Sequence, residues 1–189
     1  PASYDYLRLE GRMQYRLNLP PIGYSQLMLE GGKIFGKVPY LLLKLHEGNG
    51  TYFYDRYAFS CMNFYEFSSD AWISFFYEHH FNGFLLGRVP LLKKLNWREV
   101  FVFKGVYGTL SARNDGSLPN TKAVMLFPVG MSSVEHPYLE TGFGIENIFR
   151  LLRVDCIWRL THHRAVPGLS IPTFTVQVTT MNLYDLKKD

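Results

Sequence analysis

The chain of 189 residues carries a net charge of +4, has 19% charged residues, and contains 15 Phe, 13 Tyr and 3 Trp. So few charges among so many aromatic residues exclude a disordered chain, and the scattered Lys and Arg do not build the basic stripe of a nucleic-acid-binding protein. A mean hydropathy of −0.07, with no apolar run near the roughly 18–20 residues of a spanning helix, excludes a bundle of membrane helices and leaves a soluble β protein or a membrane β-barrel.

The chain opens Pro-Ala-Ser with neither an initiator Met nor a signal peptide, which reads as a processed or excised piece. Leu7, Leu9, Gly11, Met13, Tyr15, Leu17 and Leu19 then hold the odd positions, while Arg8, Glu10, Arg12, Gln14, Arg16 and Asn18 hold the even ones. Strand side chains alternate between faces, so this ribbon is apolar on one side and charged on the other. It is long for an ordinary strand, usually about 5–6 residues. It suits a tilted membrane strand of about 9–11 residues that extends past the bilayer. A strand of a soluble sandwich with one face in the core reads the same way.

Seven further strands are expected near 24–34, 51–66, 71–82, 98–110, 138–146, 153–163 and 173–182. One face carries Ala71, Ile73, Phe75 and Tyr77; Phe101, Phe103 and Tyr107; Leu139, Phe143 and Ile145; Val154, Cys156, Trp158 and Leu160; Phe174, Val176 and Val178. The opposite face carries Ser74, Glu78 and His80; Lys104; Glu140 and Glu146; Asp155 and Arg159; Thr175, Gln177 and Thr179. Cys61 and Cys156 both fall on the apolar side, and two cysteines make no disulfide framework.

The connections separate the soluble from the membrane reading. Gly36-Lys37-Val38-Pro39-Tyr40, running on to Lys44 and Leu45, is echoed by Gly87-Arg88-Val89-Pro90-Leu91-Leu92-Lys93-Lys94-Leu95. Each continues as a short Leu/Lys segment, because Pro suits a first helical turn. Asn147-Ile148-Phe149-Arg150-Leu151-Leu152 is a looser third copy. In an eight-strand meander these three segments share one end of the sheet with both termini. That end is expected to face the periplasm, with Lys37, Pro39, Lys44, Arg88, Pro90, Lys93, Lys94 and Arg150 at the inner leaflet interface. Short turns usually mark the periplasmic side, yet this count puts two of the shortest turns at the opposite end.

On the polar face, Arg8, Arg12, Arg16 and Arg159 opposite Glu10, Glu140, Glu146 and Asp155, together with Glu78 and His80, are expected to form a lumenal charge network. Unpaired buried charges are costly, so mixed signs suit a narrow or plugged lumen. Trp97, Trp158, Tyr52 and Tyr54 fit an aromatic girdle. His79-His80 and His162-His163 cannot each chelate one ion, because adjacent strand residues point to opposite faces. The stretch His79-His80-Phe81-Asn82-Gly83 is similar to the His-x-Ser-Asn-Gly stretch of outer-membrane phospholipase, but Phe81 stands where the nucleophile would be and offers no hydroxyl. Asn49-Gly50-Thr51 matches a glycosylation sequon in a turn that Gly50 already explains.

Phe53-Tyr54-Asp55-Arg56-Tyr57-Ala58-Phe59, Glu78-His79-His80-Phe81-Asn82-Gly83-Phe84, Arg88-Val89-Pro90-Leu91-Leu92 with Trp97-Arg98-Glu99, and Gly142-Phe143-Gly144-Ile145-Glu146-Asn147-Ile148-Phe149 followed by Arg153-Val154-Asp155 and Trp158-Arg159-Leu160-Thr161 occur in order. Across roughly residues 24–163 they resemble the C-terminal barrel region of a Bacteroidota outer-membrane family of unknown function. Its full-length members carry an N-terminal carboxypeptidase-regulatory-like β-sandwich. That family is remotely similar to the BamA/TamA surface-antigen barrels, which insert or translocate outer-membrane proteins. The Arg-Gly-aromatic motif of those barrels has no counterpart here, since the chain contains no Arg-Gly dipeptide.

The expectation is thus an all-β, transmembrane, antiparallel up-and-down β-barrel over residues 1–182, with a polar tail at 183–189. About eight strands would make the C-terminal half of a barrel of about sixteen. The expected location is the bacterial outer membrane, and the expected role is outer-membrane biogenesis by non-covalent means. A structural or docking subunit of an outer-membrane complex is the alternative. Partners are outer-membrane lipid and other outer-membrane or periplasmic proteins, without nucleic acid. No cofactor, metal or catalytic residue is expected.

Overall fold

The computed structural model describes residues 4–117, 122–163 and 174–180. Its strands, in chain order, are β1 (Tyr6–Asn18), β2 (Tyr24–Gly36), β3 (Lys44–Leu45), β4 (Phe67–Ser69), β5 (Ala71–His80), β6 (Arg98–Thr109), β7 (Ser132–Ser133), β8 (Tyr138–Ile148), β9 (Leu152–Arg159) and β10 (Phe174–Thr180). Seven of these form one antiparallel sheet in the order β1-β2-β5-β6-β8-β9-β10, while β3, β4 and β7 form a small second sheet. The only helical turns among the described residues are short ones at Tyr40–Leu42, Leu86–Arg88 and Pro90–Lys93, the last with Pro90 in its first turn. The chain is all-β and its seven-stranded sheet is antiparallel, as expected. The sheet has seven strands where eight were expected, and β1 and β10 are its two edges, so it does not close on itself among the described residues.

The expected strand at 51–66 is absent. The segment instead lies across one face of the sheet, touching strand geometry only at isolated bridges such as Phe53 to Val178 and Phe59 to Gly48. Side-chain turns break its extension. Asn49 Oδ1 accepts the Thr51 N–H at 3.0 Å, and Asp55 Oδ1 accepts that of Tyr57 at 2.8 Å. The Asn49-Gly50-Thr51 triplet is therefore an Asx turn.

Removing one strand reverses the direction of every strand after it. The connections 37–70, 110–137 and 160–173 leave one end of the sheet, and 19–23, 81–97 and 149–151 leave the other. Lys37, Pro39 and Lys44 therefore sit at the opposite end from Arg88, Pro90, Lys93, Lys94 and Arg150, which corrects the expectation that all eight share one end. The start of β1 and the end of β10 likewise lie at opposite ends. Two of the shortest turns, 19–23 and 149–151, now fall together.

The alternation holds across the sheet. Register pairs Met28 with Phe76, Phe76 with Lys104, Lys104 with Glu140 and Glu140 with Arg159, so these side chains share one face. The other face carries Leu7, Leu9, Met13, Tyr15, Ile73, Tyr107, Phe143 and Val176, all exposed, with Phe143 at 59%. The outward face is apolar, while the inner face mixes the fully buried Lys104, Glu140, Asp155 and Gln177 with the buried apolar Met28, Phe76, Val102, Val106 and Ile157. A water-soluble sheet would not leave so apolar a second face exposed.

Apart from the exposed edge strand β1, the inner face is covered by the long connection 37–70. Phe59 and Met62 from that connection pack on Met28, Phe76, Val106 and Tyr138 of the sheet, with the Phe59 ring 5.0 Å from Phe76 and 5.4 Å from Tyr138. Ile34, Val38, Leu43 and Trp72 form a second apolar cluster. There β3 pairs with β4, and β4 pairs in parallel with β7, tying the 37–70 and 110–137 connections together.

Candidate functional site

The polar face of the sheet and the segment laid over it meet in a buried ionic cluster. Its centre is Glu78 on β5, only 2% exposed. Glu78 accepts a bond from Arg56 Nε at 2.7 Å and a short bond from the Tyr54 hydroxyl. Arg153 on β9 reaches it at 3.3 Å, and His80 Nε2 lies 3.4 Å away. His80 Nδ1 pairs with Glu146 at 2.9 Å, so three strands, β5, β8 and β9, and the crossing segment share one set of charges.

Arg153 also forks onto Asp155, with Nε and Nη2 both 2.8 Å from its oxygens, and its guanidinium stacks 4.5 Å from the Tyr54 ring centre. Side chains two apart on one strand share a face, which is why Arg153 and Asp155 meet. Gly144 lies opposite Asp155 in the register, and a Cβ there would run into the Asp155 carboxylate. Glycine at this position makes room for the pair.

A second group holds the other half of the segment. Lys104 donates to the carbonyls of Asp55 and Ala58 at 2.8 and 2.6 Å. Glu140 accepts the backbone N–H groups of Ser60 and Cys61 at 2.8 and 2.7 Å, together with the Tyr138 hydroxyl at 2.5 Å. Arg159 pairs with Glu66 at 2.7 Å over the Tyr138 ring. Gln177 on β10 donates to the carbonyl of Thr51 at 2.9 Å. These charged side chains act as anchors for backbone that would otherwise be buried unpaired.

Of the network expected from the sequence, Glu78, His80, Glu140, Glu146, Asp155 and Arg159 are all buried on this face. Arg8, Glu10, Arg12 and Arg16 share the face but sit on the exposed edge strand. Arg8 pairs with Glu10 at 2.7 Å, Arg12 with Glu30 at 3.2 Å, and Arg16 stacks 3.9 Å from the Tyr24 ring. Lys44 completes the outer group by pairing with Glu30 at 2.5 Å. Tyr54, Arg56, Glu66, Arg153 and Tyr138 were not anticipated. Arg153 was legible, since the parity of Asp155 and Arg159 extends back to it. The others depend on the course of 51–66.

Two further corrections follow from that course. Tyr54 points inward onto Glu78 and does not belong to a girdle at the rim. Cys61 lies in the inner segment with Sγ 3.5 Å from the Ile157 carbonyl, and burial pushes its thiol up to about 12. Cys156 does lie on the outward face, opposite Phe143. His79 and His80 diverge as adjacent strand residues must: His79 bonds Ser25 at 2.7 Å on the outer side while His80 enters the cluster. Among the described residues no three His, Cys, Asp or Glu side chains are placed to share a metal ion.

These features define an all-β protein built on one antiparallel sheet, with an apolar exterior and an ionic interior filled by its own chain. The profile described as the Family of unknown function (DUF5686) C-terminal domain matches residues 2–112. The chain belongs to that family. The matched residues take in β1 to β6, the crossing segment and Glu78, while Glu140, Glu146 and Arg153 lie beyond them. No curated protein and no solved structure matches the chain.

Proposed function

We propose that this chain is a membrane-embedded portion of an outer-membrane β-barrel with a plugged lumen. The observation that carries this reading is the polarity of the sheet. A soluble protein rarely exposes a contiguous apolar patch beyond a few hundred Å², whereas a barrel strand in lipid turns its apolar side chains outward and its polar ones toward the lumen. The barrel would be completed by strands on the open edge of β1 and on the edge of β10, which the crossing segment meets at Val178, since lipid does not tolerate an unpaired edge. The end bearing 19–23 and 149–151 is assigned to the periplasm, because periplasmic turns are short. Arg88, Pro90, Lys93, Lys94 and Arg150 keep their place at that interface, and Lys37, Pro39 and Lys44 move to the outer side.

The role we assign is outer-membrane biogenesis by non-covalent means, helping other proteins insert into or cross the membrane. It is supported by the resemblance to a Bacteroidota outer-membrane family and by that family's remote similarity to BamA/TamA barrels. A structural or docking barrel is the second reading, favoured by the crossing segment that fills much of the inner face among the described residues. Depletion of the protein separates the two. Biogenesis requires that many unrelated outer-membrane proteins fail to assemble, and a docking subunit requires the loss of one complex alone. Normal assembly of all other barrels would overturn the first reading.

A further inference from the structure

Four segments converge on a polar cavity at the end of the sheet that carries the short turns. The loop after β5, the Pro90–Lys93 turn, the start of β6 and the turn between β8 and β9 enclose about 610 Å³, within the range of small-ligand sites. Lys93, Arg98 and Arg150 line it with Asn82, Asn96 and Trp97, and no carboxylate is among its lining residues. Of the acidic side chains nearby, Glu99 accepts the Leu86 N–H, and Glu146 holds His80 and lies opposite Arg98 in the register. Lys93 and Arg150 are exposed and make no ion pair among the described residues.

The walls are held in place. Asn147 Nδ2 donates to the Asn96 carbonyl at 2.7 Å, joining two of the turns. Asn82, Asn96, Asn147 and Arg150 have φ of 53, 52, 64 and 63°. Asn tolerates the left-handed region, but Arg adopts it less readily, and such conformations concentrate at ligand sites. Around the cavity Leu85, Leu91, Leu95, Phe149 and Leu151 stand out into the surroundings, Phe149 at 83% exposure. Cations in a cavity beside a rim of apolar side chains match a molecule with an anionic head and a hydrocarbon body.

We infer that this cavity binds the phosphate headgroup of a glycerophospholipid, with Lys93, Arg98 and Arg150 on the phosphate oxygens, the three Asn amides at the polar ester region and the apolar rim against the acyl chains. The inference rests on the membrane reading above. A free phosphate ion would satisfy the cations but not the rim.

The test uses the purified protein in non-ionic detergent, parent and Lys93→Gln/Arg150→Gln, with native mass spectrometry after addition of dioleoyl phosphatidylglycerol. The parent should retain the lipid, and the double variant should bind it about tenfold more weakly through loss of two charge-assisted contacts. Inorganic phosphate at the same concentration should leave the adduct intact. Equal retention by parent and variant overturns the proposal, and so does displacement of the lipid by inorganic phosphate, which would mark a simple anion site. Heat-modifiable gel migration of both proteins is recorded in parallel. Its loss in both points to failure of the membrane reading, whereas its presence in both with equal retention points to failure of the site alone.

Discussion

Replacing Arg153 by Met tests whether the interior is held by charge. Asp155 is fully buried, and Arg153 is its only ion-pair partner among the described residues. Glu78 keeps Arg56 and His80 when Arg153 is lost. The variant therefore strands one carboxylate, and stranding a buried charge costs about 3–5 kcal/mol. Removing the stranded group as well, in Arg153→Met/Asp155→Leu, should return the protein to within about 1–2 kcal/mol of the parent, because a buried pair replaced by apolar groups is often near neutral. The assay is urea unfolding in detergent, followed by tryptophan fluorescence, for the parent, both single variants and the double. A single-variant cost below about 1 kcal/mol, the worth of an exposed pair, would refute the buried network. A double variant no better than Arg153→Met would refute the pairwise assignment.

Other outcomes follow from the same geometry. Phe59→Ala should cost about 3–5 kcal/mol in the same unfolding assay, as expected for an aromatic residue 2% exposed in a core, and should make 46–66 susceptible to protease. His46, buried against the Ser69 hydroxyl at 2.9 Å, is pushed down to about 3 by burial and then by the Lys44 charge. The unfolded chain takes up this proton near pH 6.5 and the folded one does not, so the stability is complete above that pH and declines as pH falls toward about 3. By pH 5 the loss is about 2 kcal/mol, read as rising protease cleavage of 46–66, and His46→Gln should flatten the profile. Cys61 should resist maleimide at neutral pH until the crossing segment is displaced, because its thiol stays protonated; rapid labelling of the folded protein would contradict its placement.

Alternation carried most of what was legible. On β1, β5, β6, β8, β9 and β10 the two-residue period separated the apolar residues read from the sequence from the charged ones, because a single parity error would move a charge into the apolar layer, but it passed over Phe76, Val102, Val106 and Ile157 on the inner face. Residues 51–66 gave no such rule. Their aromatic side chains fall on both parities, with Tyr52 and Tyr54 on one and Phe53, Tyr57 and Phe59 on the other. Only the middle of this segment, with Ala58, Phe59, Ser60 and Met62, is buried on the sheet, and an irregular covering segment needs no period. Misreading it as a strand inverted the sidedness of everything downstream, and concealed the partners that Tyr54, Arg56, Cys61 and Glu66 provide for Glu78, Glu140 and Arg159. The motif Phe53-Tyr54-Asp55-Arg56-Tyr57 stood out in the sequence, but its role became visible only with the contacts across the sheet.

The central claim is that the apolar face of the sheet lies against lipid. Nitroxide labels placed one at a time from position 139 to position 146 on β8, in protein reconstituted into bilayers, report this directly by collision with oxygen and with a water-soluble nickel complex. The account predicts a period of two, with labels at 139, 141, 143 and 145 favouring oxygen and those at 140, 142, 144 and 146 shielded from both. Labels at 141 and 143 that collide chiefly with the nickel complex would place that face in water and contradict the account.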